Sequence, residues 1–315
     1  MPAATATGPL VKLPSLDEAE KTLTELGVAE IDRDELLAAG TPTDDPKLAD
    51  LLEKCHHELV DGIGGLGTIQ GWPELAGNTP LERYFYVWVL LSAIPALREF
   101  HARHGISEED TRLVLAELGE QLTNRRSVRG EGGLAAYSWM TVHFRGALYR
   151  VGRLLYERQR IWFDSHVAKD TSPRKGEWAL GIHIPRGRLT PESVDASITA
   201  AESFFARHFP DEPYAYATCV SWVLDENLAD CLPAHSNIVR FQRRFHVEPR
   251  IPNLGKESVD DAETVNAVFR RPWPGIEHLD ELPQTSSLER GIVARLRAGE
   301  HWHYRTGWFG WRSVS

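Results

Sequence analysis

The sequence changes character near residue 138, and that change constrains the fold more than any other feature. Before it, helix starts and stops punctuate the chain. SLDE at 15–18 is a capping box with Gly27 as a stop, and Pro46 opens a segment carrying Leu48, Leu51, Leu52, Cys55 and Leu59 at helical spacing. A helix follows over about 81–104, and Ser107 opens another with acidic residues in its first turn and Val114, Leu115 and Leu118 behind them. NRRSVRGEGG (124–133) reads as a loop of charge and glycine.

After residue 138, short β-branched and aromatic runs take over. TVHFRGALYRVGRLLYERQRIWF (141–163) fits two strands or a strand and a helix. WALGIHIP (178–185) reads as a strand, and Thr190 and Pro191 as the cap and first residue of a helix with Val194, Ile198, Ala201, Phe205 and His208 on one face. Strand-like runs recur at 214–224, 236–247 and 264–271. Ser286 and Glu289 cap a final helix, and the aromatic tail from His301 to Trp311 reads as an edge strand. The expectation is an α+β protein: an all-helical domain over 1–137, then over 138–315 a mixed, mostly antiparallel sheet flanked by helices.

With 315 residues, 42% of them hydrophobic, the chain can build a core in each part. A formal charge of −10 argues against a nucleic-acid surface or an attachment to anionic lipid, so any anion must be held by a local site. Three cysteines without a CxxC pair indicate neither a disulfide framework nor a thiolate zinc site. MPAATATGPLVKLP lacks the pattern of a secretory leader, and YFYVWVLLSAIPAL (84–97), shorter than the ~20 residues of a membrane span, reads as a core helix. A cytoplasmic protein without a membrane span is expected. In CHHE (55–58) adjacent helical side chains point ~100° apart and cannot converge on one ion, so no metal is expected.

The turn IPRGRLT (184–190) carries the most chemistry. A helix start presents unpaired N–H groups and partial positive charge, Gly187 permits close backbone approach, and Arg186 and Arg188 add charge, so the turn suits a phosphate. Glu192 in the first helical turn competes with an anion, and an ordinary strand-to-helix connection is the other reading. His183 and Asp225 stand at the ends of strand candidates, where ligand sites gather; Asp225 also reads as a helix cap. In SNIVRFQRRFHV, alternation puts Arg240, Gln242, Arg244 and His246 on one face, either a basic wall or a solvated strand face.

Together, HIPRGRLTPESVDAS, FFARHFP, TCVSWVLD, SNIVRFQRRF and LPQTSSLERGIVARLRAGEHW, with FRGALYRVGRLLYE before them, resemble the two-domain bacterial acyltransferases. In that family a helical N-acyltransferase N-terminal domain precedes a domain similar to Gcn5-related N-acetyltransferases (GNAT-like). The resemblance implies a coenzyme A thioester (acetyl-CoA or a longer acyl-CoA) as co-substrate and an amine on a small molecule or peptide as acceptor. It implies that the 178–185 strand splays from its neighbour to receive the pantetheine arm, and that Ile184, Arg186, Gly187, Arg188 and Thr190 form the pyrophosphate turn. Asp225 or His183 is then the expected base. Cys231, His235 and Ser236 are the groups available near the leaving thiolate, because the superfamily's usual tyrosine is absent from ENLADCLPAH. Trp222, Asn237 and Gln242 are expected around the acceptor. The turn departs from the superfamily's [QR]-x-x-G-x-[GA] pattern, having one glycine and no Gln or Arg three places before it. A non-catalytic acyl-CoA or peptide sensor on the same fold is the alternative.

Overall fold

A computed structural model describes residues 11–167, 172–250 and 257–311; the first ten residues, read above for leader character, and part of the polar loop before the 178–185 strand lie outside them. The chain divides into two compact units. One holds residues up to 147 except 127–129; the other holds those three residues and everything from 148 onward. Residues 138–147, expected with the sheet, therefore group with the helices.

The first unit contains helices α1 (Leu16–Glu25), α2 (Glu30–Ala38), α3 (Pro46–Asp61), α4 (Pro80–Arg103), α5 (Glu108–Leu115), α6 (Glu117–Arg129) and α7 (Tyr137–Phe144). Helix α4 is its core element: every residue from Tyr84 to Ile94 is buried, so the apolar run is apolar all round because it is covered all round. The 124–133 stretch corrects the loop expectation. Helix α6 continues to Arg129 and ends at Gly130 in the left-handed region, and Arg126 reaches back to Asp32 at 2.8 Å. Asp32 also accepts from the Tyr84 hydroxyl at 2.7 Å, and Gly132 lies so close that a Cβ there would meet that hydroxyl at 1.9 Å. A charged, polar sequence is helical here because buried partners await its arginines.

The second unit contains β1 (Leu148–Val151), β2 (Leu154–Arg160), β3 (Trp178–His183), α8 (Pro191–His208), β4 (Tyr216–Ser221), α9 (Leu228–Cys231), α10 (Asn237–Gln242), β5 (His246–Val247), α11 (Glu257–Phe269), α12 (Ser287–Arg297) and β6 (Arg305–Gly310). The sheet order is β1-β2-β3-β4-β6-β5, antiparallel except between β3 and β4. The 141–163 stretch thus ends in two strands, joined by Gly152 and Arg153 in a two-residue hairpin turn with φ +64° at the glycine. Helix α8 packs on one sheet face, where the Ser197 hydroxyl meets the Tyr156 hydroxyl at 3.0 Å and Phe205 meets Tyr149 and Tyr156 edge-on.

Three strand expectations are corrected. Residues 237–242 are helical: Ser236 accepts from the Val239 N–H as cap, and the buried Val239, Gln242 and Phe245 recur every three residues, a burial of Gln242 that alternation does not give. Residues 264–269 belong to α11, where Thr264, Val265 and Phe269 are buried and the latter two join a core with Ile292, Val293 and Trp302. Their β-branched side chains yield to that packing. The aromatic tail forms β6, which lies between β4 and β5 and is not an edge.

Burial decides the cysteines. Cys55 and Cys219 are enclosed, and desolvation pushes both thiols up to about 12, leaving roughly 10⁻⁴ as thiolate at pH 8. Mass spectrometry after iodoacetamide at pH 8 should therefore find the half-buried Cys231 modified first and the other two only after denaturation.

Candidate active site

The parallel contact between β3 and β4 is short. Ala179, Leu180 and Gly181 pair with Tyr216, Ala217 and Thr218, but β3 runs on to His183 and β4 to Ser221 without pairing to each other. Past Gly181 and Thr218 the strands part, and backbone groups of both line an opening in the sheet.

His183 stands at the opening. On β2, Leu155 pairs with His183 and Glu157 with Gly181, so His183 and Glu157 are diagonal neighbours on one face. Their Nε2 and Oε2 atoms are 2.9 Å apart, with the imidazole one-third exposed and the carboxylate 12% exposed. Gly181 adds no side chain between the strands, and Gln159 reaches across it to the Thr218 hydroxyl. A one-third exposed imidazole held by a mostly buried carboxylate is an arrangement suited to proton transfer.

The donor turn follows directly. Thr190 caps α8, accepting from the Ser193 N–H at 3.2 Å, with Pro191 at the first helical position. Its hydroxyl is thereby used within the helix start. Gly187 has φ +114°, and a Cβ there would stand 4.0 Å from Arg153 Nη2. Arg186 and Arg188 are exposed, and Arg186 donates to the Ala267 carbonyl at 2.7 Å. Ile184 is half-buried at the start of the turn. Sequence reasoning missed Arg153, whose guanidinium donates to the carbonyls of Pro185 (2.6 Å), Gly187 (2.9 Å) and Arg188 (3.0 Å).

Asp225 lies in a different environment. It is fully buried; Oδ1 accepts from the Asn227 N–H at 3.0 Å and Oδ2 from the His303 N–H at 2.8 Å, while its own carbonyl accepts from Gln242 Nε2 at 2.6 Å. Burial raises its pKa, opposed by the two backbone bonds. Asp225 and Gln242 thus form one buried joint between the end of β4, α10 and the lead into β6. Ser236 is the cap of α10, Asn237 its first residue, and Trp222 a half-buried wall of the core around Trp302. Cys231 packs against Gly291, and His235 is exposed.

A cavity of about 190 Å³ opens on the sheet face that carries His183. Trp162, Phe163, Val220, Tyr304 and Thr306 line it, together with Glu248, which is tied to the Trp308 indole at 2.6 Å. Val220, 49% exposed, is the β4 residue level with His183 across the opening. Among the described residues no group of three or more His, Cys, Asp or Glu is placed to hold a metal ion, and no helix is long and apolar enough to cross a membrane.

Residues 17–146 match the N-acyltransferase N-terminal domain, and residues 148–309 match the GNAT-like C-terminal domain. The chain belongs to this two-domain N-acyltransferase family. Solved structures agree. One acyltransferase, in complex with decanoyl-CoA and teicoplanin, is 39% identical with a TM-score of 0.84, over 96% of this chain and 90% of that one. An acyltransferase mutant in complex with octanoyl-CoA and an acyltransferase in complex with CoA and 10C-teicoplanin are each 38% identical, with the same coverage and TM-score. No curated protein matches the sequence. The protein is an acyltransferase on an α+β, GNAT-like scaffold.

The two candidate bases of this acyltransferase make opposite predictions. Asp225→Asn replaces one acceptor with a donor facing a backbone N–H, so it should cost about 1–3 kcal/mol of stability, read as a lower Tm. His183→Gln should leave Tm nearly unchanged and lower turnover.

Proposed function

We propose that the protein transfers an acyl group from a coenzyme A thioester to an amine on a peptide-like acceptor of the glycopeptide class. The observation that carries this reading is the opening between β3 and β4, with the His183–Glu157 pair at its rim and the Gly187 turn directly beyond it. The acyl-CoA and teicoplanin bound by neighbours at 38–39% identity support the donor and acceptor classes.

In this reading the backbone of Ile182, His183 and Ile184 lies along the pantetheine arm and offers N–H groups to the thioester carbonyl. The turn from Arg186 to Leu189 holds the pyrophosphate, with Arg186 and Arg188 adding charge and Thr190 fixing the helix start behind it. His183 accepts the proton that the acceptor amine loses as its lone pair forms the new C–N bond, and Glu157 keeps the ring aimed and stabilises the imidazolium. The C–S bond then breaks and its electron pair leaves on sulfur. Asp225 serves the scaffold, with Trp222, Ser236, Asn237 and Gln242 beside it. The cavity under Trp162, Phe163 and Val220 receives the acyl chain, which fits octanoyl and decanoyl groups better than acetyl.

Thermal unfolding with CoA, acetyl-CoA, octanoyl-CoA and decanoyl-CoA tests the donor class. A donor at ~100 times its Kd adds about 2.7 kcal/mol, a shift of a few degrees, and the longer thioesters should shift the midpoint most. Absence of any shift at saturation contradicts the reading. In turnover assays with an amine-bearing glycopeptide, His183→Gln should lower kcat roughly 10²- to 10⁴-fold, while Trp162→Ala should move the optimum towards longer chains.

A further inference from the structure

The turn lacks the second glycine and the leading Gln or Arg that its superfamily uses, yet its backbone is held in one arrangement by a side chain from another element. We infer that Arg153, in the β1–β2 hairpin turn, is the positioning residue that shapes this turn into a pyrophosphate cradle and so makes the enzyme select coenzyme A thioesters over thioesters of pantetheine alone. The inference rests on the acyl-CoA reading above and assigns a residue that the motif does not contain.

Register places Arg153. Leu155 pairs with His183, so continuing the antiparallel ladder by two residues brings 153 level with Pro185, whose carbonyl accepts from Nη2. The Gly-first hairpin turn fixes the Arg153 backbone, and the planar guanidinium spans the carbonyls of Pro185, Gly187 and Arg188. Nη1 is buried without a protein partner, so the group faces the turn and not the solvent.

Peptide planarity turns this clamp into a cradle. In a trans peptide the C=O of one residue and the N–H of the next point in opposite directions, and no peptide bond here is cis. With the carbonyls of Pro185, Gly187 and Arg188 drawn to Arg153, the N–H groups of Arg186, Arg188 and Leu189 must point the other way. Among the described residues none of the three finds a protein acceptor. Three N–H groups left without a protein acceptor on the side of the turn away from Arg153, next to a helix start, are donors for an anion, and Arg153 sets them there without touching it. Pantetheine has no group to fill such a site, so removing the clamp should matter only for donors that carry the pyrophosphate.

Arg153→Ala should lower kcat/KM for octanoyl-CoA roughly 10- to 100-fold and leave that for octanoyl-pantetheine within about threefold, with Arg153→Lys in between. Equal losses for both donors, or no loss for either, would overturn the inference. Amide NMR supplies a readout that needs no turnover of the truncated donor. In the wild type, adding CoA should shift the amides of Arg186, Arg188 and Leu189 and adding pantetheine should not; in Arg153→Ala the CoA-induced shifts should be lost or reached only at much higher concentration. Unchanged shifts and affinity in Arg153→Ala refute the role of Arg153. Wild-type amides that ignore CoA refute the acyl-CoA reading of the turn itself.

Discussion

One parallel strand pair governs the second unit. Antiparallel neighbours can stay paired to their ends, as β4 and β6 do over six residues. The parallel pair β3 and β4 stays in register for only three. Unpaired strand backbone is costly inside a protein unless something else takes its hydrogen bonds, so the groups of β3 and β4 that face each other past Gly181 and Thr218 need a partner other than the neighbouring strand. His183, Val220 and the Gly187 turn have their places because they flank the opening between these strands.

The unit also shows how environment divides work between carboxylates. Glu157 meets an imidazole that is itself part-exposed. Asp225 meets only backbone N–H groups in a closed pocket, and both its oxygens are committed. What each carboxylate touches separates the two.

Much of this was legible in the sequence for physical reasons. Capping signals act within four residues, so Ser15, Thr190 and Ser286 announced their helices, and the apolar run of α4 announced its burial. Short amphipathic stretches were not legible in the same way. Val239, Phe241 and Phe245 fit an alternation while Val239, Gln242 and Phe245 fit a spacing of three, and only the packing decides between them. In α6 the polar composition concealed a helix whose arginines are paid for by Asp32 and Glu35. The turn was visible because its residues are contiguous. Glu157 and Arg153 were not, since their partners lie 26 and 32 to 35 residues away and are fixed by a strand register that no local pattern records.

The place of β6 in the sheet order bears on how the molecule is assembled. The strand nearest the end of the sequence lies between β4 and β5, so β4 keeps an open edge, and β5 has nothing to pair with, until residue 310 has left the ribosome. The helical unit, built largely from neighbouring segments, can form earlier in synthesis. The sheet must wait, and for that interval the edge of β4, with Tyr216, Ala217 and Cys219, presents backbone groups that β6 later pairs.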